Sequence, residues 1–64
     1  MSDRAQRVLD ALMKFDADGE YNYPLHSLHD FVTNINSFKV SEDYEALTIK
    51  EEKQVIEAFL KFAY

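Results

Sequence analysis

Three observations on this sequence predict an all-α fold, a compact domain of three helices, with or without a short extended segment between helices. Apolar residues recur at helical spacing near both ends of the chain and in its centre, so each of these segments presents an apolar stripe. Glycine and proline occur once each, and 47% of the residues are hydrophobic. This composition favours a folded chain over a disordered one. At 64 residues, the chain is predicted to form one helical domain over residues 1–64.

The first helix is predicted to begin after Ser2, whose hydroxyl is suited to cap the helix N-terminus. Asp10 and Lys14 stand four residues apart, in the order that favours an ion pair on a helix surface. The acidic turn at residues 16–19 is predicted to end the helix, with Gly19 free to take a positive φ. The apolar stripe of this helix consists of Ala5, Val8, Leu9, Leu12 and Met13.

The second helix is predicted to begin at Pro24, which fits the first helical position and keeps the residue before it extended. Residues 20–23 are therefore predicted to form a short extended segment, and a small β element is an alternative for residues 21–23 or 39–40. Asn34, Asn36 and Ser37 are poor helix formers, so the helix is predicted to fray there. Its apolar seam consists of Leu25, Leu28, Val32 and Ile35, widened by Phe31 and Phe38.

The third helix has the clearest start signal in the chain. Thr48 and Glu51 match the S/T-x-x-E capping box, in which each side chain accepts a hydrogen bond from the backbone N–H of the other residue. Residues 41–45, just before this helix, are predicted to form one helical turn capped by Ser41. The apolar stripe of the third helix consists of Val55, Ile56, Phe59, Leu60 and Ala63.

The charge of the chain is concentrated in its centre. The net charge is −5, yet residues 15–49 carry seven acidic side chains against Lys39 alone. Such a field repels nucleic-acid phosphates and anionic membranes and attracts basic surfaces. We therefore expect a protein partner with a basic surface, and neither direct nucleic-acid binding nor membrane binding. Since the chain has no long apolar run and no signal-peptide pattern, we expect a cytoplasmic protein.

The residues of the chain do not form a catalytic motif. There is no cysteine, no serine lies in a nucleophile motif, and the single glycine excludes a phosphate-binding loop. His26 and His29 resemble a metal motif, but a metal site needs further ligands. The acidic turn at residues 16–19 lacks the EF-hand ligands. We expect no enzyme, no cofactor and no metal; a metal or pH response of the two histidines is a further hypothesis.

Acidic and aromatic residues near the centre form the predicted partner-binding site. Tyrosine is enriched in protein interfaces, and five phenylalanines and four tyrosines are many for this length. The alternative is that the tyrosines edge a core shared by Phe15, Phe31, Phe59 and Phe62, with a solvated acidic surface around them. The predicted site consists of Asp16, Asp18, Glu20, Tyr21, Tyr23, Glu42, Asp43, Tyr44 and Glu45.

The leading functional hypothesis is a small acidic protein-binding domain that acts as an inhibitor or adaptor of a macromolecular partner. Its shortness is typical of inhibitors encoded by viruses and mobile elements, which is an argument by analogy. One alternative is a self-assembling helical homo-oligomer that buries surplus aromatic surface. Another is a nucleic-acid mimic, whose carboxylates occupy the basic groove of a DNA-binding protein.

Overall fold

A computed structural model describes residues 1–19 and 23–63 of the chain. The described residues form helices and no strand, which confirms the all-α class. Three of the helices are those predicted, and the predicted turn at residues 41–45 forms a further short helix. The helices are α1 (Asp3–Asp18), α2 (Pro24–Thr33), α3 (Ser41–Ala46) and α4 (Ile49–Ala63), with a 3₁₀ helix (Ile35–Phe38) between α2 and α3.

Local signals determine where three of the α-helices begin. The Ser2 hydroxyl accepts a hydrogen bond from the Ala5 N–H at 3.2 Å, and Pro24 is the first residue of α2. At the start of α4, the Thr48 N–H donates to Glu51 Oε1 at 2.9 Å, and the Glu51 N–H donates to Thr48 Oγ1 at 3.2 Å. The predicted N-cap, the predicted proline start and the predicted capping box are all confirmed.

Several predictions about the connections are wrong. Gly19 has φ −73°, so α1 leads into extended backbone without a left-handed residue. Positive φ occurs instead at Lys39, with φ 61°, where the chain turns from the 3₁₀ helix towards α3. That conformation replaces the alternative β element at residues 39–40. Ser41 lies inside α3, and Val40 takes the cap position. Residues 20–22 of the predicted extended segment lie outside the described residues.

The α1 helix lies at the centre of the fold, because α2, α3 and α4 all pack against it. Its predicted stripe is confirmed: four of the five residues are buried, and Met13 is half-buried. On its exposed side, Asp10 accepts a hydrogen bond from the Gln6 amide at 2.8 Å and makes no ion pair with Lys14. The buried hydrophobic residues of the described chain are Ala5, Val8, Leu9, Leu12, Phe31, Val40, Val55 and Phe59.

The predicted seam of α2 is confirmed in part: Leu28 and Ile35 pack partly buried against the core, but Leu25 and Val32 do not face it. The buried residues of α2 are Pro24, Ser27 and Phe31, whereas Leu25 is 77% exposed and Val32 is 43% exposed. Phe31 determines the rotation of α2 about its axis, because burying a large aromatic ring contributes more than burying a smaller aliphatic side chain. One apolar edge of α2 is therefore left facing solvent.

Three phenylalanine rings join α1, α2 and the 3₁₀ helix. The ring centroid of Phe31 lies 6.3 Å from that of Phe15 and 4.8 Å from that of Phe38. Phe59 is fully buried in the core. Phe62 is 51% exposed, so the expectation that it shares this core is wrong. Among the described helices, none combines the length and the apolar character needed to cross a bilayer.

Candidate functional site

The acidic residues predicted near the end of α1 do not share one surface. Asp16 is buried, and its Oδ1 accepts a hydrogen bond from the Ser27 hydroxyl at 2.7 Å, which ties α1 to α2. Asp18 is exposed at the end of α1, and Tyr23 is exposed just before α2. Glu20 and Tyr21 lie outside the described residues. Asp16 is therefore engaged in a contact within the fold.

The acidic residues of α3 divide into paired and exposed groups. Asp43 accepts two hydrogen bonds from the Arg7 guanidinium, at 2.8 and 2.9 Å, which hold the pKa of its carboxyl below the usual range. Glu42 and Glu45 are exposed, and Tyr44 is half-buried against the core. The exposed acidic charge of α3 thus comes from Glu42 and Glu45.

A second ion pair joins α1 to the start of α4. Both carboxylate oxygens of Glu51 accept hydrogen bonds from the Arg4 guanidinium, at 2.7 to 3.1 Å. The Ser2 hydroxyl and the Thr48 N–H also donate to this carboxylate. These donors, with Arg4 the largest cause, lower the pKa of Glu51 far below its ordinary value. This cluster is occupied by internal contacts, so we assign it to stability.

An apolar groove lies between α2 and α4, with α1 as its floor. The two helices both pack on α1 and make little direct contact with each other. The groove encloses a volume of about 70 Å³. The residues that line it include Val8 and Leu12 of α1, Leu28 and Val32 of α2, Tyr44 of α3, Leu47, and Glu52, Val55 and Ile56 of α4.

Aliphatic side chains at the mouth of the groove face solvent. Val32 is 43% exposed, and Ile56 on the opposite wall is 40% exposed. Leu25 and Ile49 are more exposed still, at 77% and 76%. Leu25 precedes Val32 by seven positions, and Ile49 precedes Ile56 by seven positions. This spacing places the two residues of each pair on the same side of their helix, two turns apart. The groove residues thus belong to two apolar edges, one along α2 and one along α4.

The charged side chain among the described lining residues of the groove is acidic, and the exposed Lys53 follows it on α4. The helices α2 and α3 contain no lysine or arginine. Glu52 is the carboxylate among the lining residues, and it makes no ion pair with a described residue. The groove therefore offers apolar contact together with negative charge, and disfavours an anionic occupant.

The groove was not predicted as a site from the sequence. Leu28, Val32 and Ile56 were assigned to core-facing seams, because periodicity alone does not show which part of a wide apolar arc is buried. The signal that points to the groove is a surplus: α2 carries Leu25 and Val32 in addition to the apolar side that Phe31 buries. Of the predicted site residues, Tyr44 lines the groove.

The two histidines lie on the exposed surface of α2. His26 Nε2 is 3.2 Å from Asp30 Oδ2, one turn along the helix. Within residues 1–19 and 23–63, no group of three or more His, Asp or Glu side chains could hold a metal ion. His26 and His29 therefore do not acquire further metal ligands from the described part of the fold.

Comparison with known proteins gives no relative, since no protein-family model, no curated protein and no solved structure matches this chain.

Proposed function

We propose that this chain is a protein-binding domain that acts as an inhibitor or adaptor, and that its groove binds an amphipathic basic helix of the partner. The observation that carries this proposal is the groove itself, in which Val32 and Ile56 flank an apolar floor and face solvent. Contiguous exposed apolar side chains mark interaction sites in small proteins. Helix-in-groove binding is a common way to cover such a surface.

The size of the groove favours a side chain as its occupant. Sites for small molecules enclose about 300–1,000 Å³, several times the 70 Å³ of this groove. A space of this size suits one aliphatic anchor, and neighbouring anchors would contact Leu25 and Ile49 at the exposed ends of the two apolar edges. A helix supplies such anchors at positions i, i+3 or i+4, and i+7.

The charge of the groove defines the polar side of the partner. Because α2 and α3 contain no lysine or arginine, and Glu52 lines the groove without an ion pair to a described residue, basic residues beside the anchors improve the fit. Complementary charge of this kind raises the association rate and selects against acidic helices. Under this proposal, the basic residues of the partner lie beside the groove.

The hypothesis of a nucleic-acid mimic has less support than the hypothesis of helix binding in the groove. A mimic needs exposed carboxylates, but Asp16 is buried and Asp43 is paired with Arg7. Self-assembly has one observation in its favour: Leu25, Val32, Ile49 and Ile56 would also suit burial against a second copy. Sedimentation of the free protein separates the two readings, because a monomer at high micromolar concentration leaves the apolar edges open for a different partner.

The direct test uses a synthetic helical peptide as the probe. It carries leucine anchors at i, i+3 and i+7 and lysines on its flanks, and a matched peptide of equal charge carries serine at the anchor positions. We expect the leucine peptide to shift the methyl NMR signals of Val32 and Ile56, and to bind at least roughly tenfold more tightly than the serine peptide, as loss of buried anchors implies. Equal binding of both peptides would contradict the groove.

A matched pair of variants on α4 tests the site. Ile56→Gln removes an apolar wall of the groove, whereas Phe62→Gln makes a similar change at an exposed residue that does not line it. We expect Ile56→Gln to weaken peptide binding roughly tenfold and Phe62→Gln to leave it unchanged. Proteins captured from lysate count as partners only where Ile56→Gln loses them and Phe62→Gln keeps them.

A further inference from the structure

A second cleft lies between the C-terminal half of α1 and the 3₁₀ helix. It encloses about 300 Å³, which reaches the lower end of the range for small-molecule sites. It shares no lining residue with the apolar groove. Its main lining residues are Lys14, Phe15, Asp18, Ser37, Phe38 and Lys39.

The charge of this cleft is opposite to that of the chain. Lys14 and Lys39 come from different elements, and Asp18 is the one acidic residue among the lining side chains, so the cleft is net positive in a chain of net charge −5. Neither lysine makes an ion pair with a described residue. Both ammonium groups are therefore available to an anion.

The apolar part of the cleft is formed by aromatic rings. Phe15 and Phe38 meet edge to face, with ring centroids 5.1 Å apart and an interplanar angle of 69°. Both rings are half-buried and pack against the core, so the wall they form is fixed by the fold. A flat apolar group fits such a wall better than a fully hydrated ion does.

The backbone at Lys39 is in the left-handed conformation. Among the described non-glycine residues, positive φ occurs at Lys39, where φ is 61°. A glycine would adopt this conformation without steric cost. The conformation is that of a left-handed helix cap, because Lys39 ends the 3₁₀ helix beside the cleft that it lines.

We propose that this cleft binds a small organic anion, with its apolar body against Phe15 and Phe38 and its anionic group between Lys14 and Lys39. The apolar wall supplies contact area and the two lysines supply charge-assisted hydrogen bonds. Asp18 limits the charge that the site accepts, so a compact anion is favoured over a polyanion. The proposal is independent of the groove, because the two sites have no residue in common.

The test is an NMR titration with phenyl phosphate, compared with inorganic phosphate and phenol. We expect phenyl phosphate at millimolar concentration to shift the signals of Phe15, Phe38 and Lys39, and to bind more tightly than either fragment. No shift, or an equal response to phenol, would overturn the proposal. Shifts at Val32 and Ile56 instead would also overturn it, because the probe would then occupy the groove.

Two cleft variants and one control identify the cationic groups. Lys14→Gln and Lys39→Gly should each weaken phenyl phosphate binding by about threefold to tenfold, whereas Lys50→Gln on α4 should not. Glycine suits the backbone at position 39, so Lys39→Gly keeps the fold while it removes the charge. Unchanged affinity in both cleft variants, or an equal loss in Lys50→Gln, would overturn the assignment.

Discussion

Single residues at the contact between α1 and α4 link the stability of the fold to pH. The Glu51 carboxylate accepts hydrogen bonds from Arg4, Ser2 and Thr48, and they lower its pKa from an ordinary value of 4.5. A lowered pKa means that the folded state binds the proton more weakly than the unfolded state does. The resulting stability is therefore fully present well above pH 4.5 and is lost as the pH falls through and below that value.

Glu51→Gln tests this linkage. We expect the variant to have a lower free energy of unfolding than the wild type near pH 7, and to lose less of it between about pH 6 and pH 3. Urea unfolding at a series of pH values, followed by circular dichroism, measures both effects. Glu52→Gln is the matched control, because Glu52 makes no ion pair with a described residue. If wild type and Glu51→Gln show parallel pH profiles, the linkage through Glu51 is wrong.

At the scale of the element, the starts of α1, α2 and α4 and the buried stripe of α1 were predictable, but the rotation of α2 was not. Ser2, Pro24 and Thr48 act through contacts within a few residues, so the chain near each one is sufficient to locate the start. The rotation of α2 depends on Phe31 meeting Phe15 of α1 and Phe38 of the 3₁₀ helix, two contacts that lie outside α2 itself. Periodicity showed that α2 is amphipathic without showing which part of its apolar arc is buried.

The difference between local and long-range contacts also explains which parts of the candidate site could be predicted. The acidic centre of the chain is a property of composition, and the exposed Glu42 and Glu45 of α3 agree with it. Burial of Asp16 depends on the partner hydroxyl of Ser27, which belongs to another helix. The groove depends on the spacing between α2 and α4 over α1, a relation that no single segment of the sequence contains.

Thr48→Ala tests the capping box as a property of α4. Removing the hydroxyl leaves the Glu51 N–H without its side-chain acceptor, and loss of such a cap costs about 0.5–2 kcal/mol of folding free energy. We expect a lower midpoint in urea unfolding, with Thr48→Ser close to the wild type since it keeps the hydroxyl. Equal stability of Thr48→Ala and the wild type would mean that α4 does not depend on this cap.

On the scale of the whole molecule, α1 is the element on which the core depends. Leu12 of α1 is almost fully buried and also lines the floor of the groove. A chain of 64 residues has a total stability of about 3–10 kcal/mol. Truncating one large buried side chain of α1 therefore removes a substantial part of the total stability.

Leu12→Ala should cost about 2–5 kcal/mol. We expect a large fall in the thermal midpoint, or a partly unfolded protein at room temperature, measured by circular dichroism. Leu25→Ala is the matched control: it makes the same chemical change at a residue that is 77% exposed, so its effect should lie within about 0.5 kcal/mol of the wild type. Equal effects of the two variants would contradict the central position of α1.

The packing of α1 against α4 has a consequence for the order of synthesis. Of the described helices, α1 leaves the ribosome before the others, and α4, which covers one side of it, leaves after them. The chain between the end of α1 and the end of α4 takes roughly 2–9 s to translate, at about 5–20 residues per second. During that interval the apolar face of α1 lacks the native cover that α4 provides, so the nascent chain exposes an apolar surface that the finished fold buries.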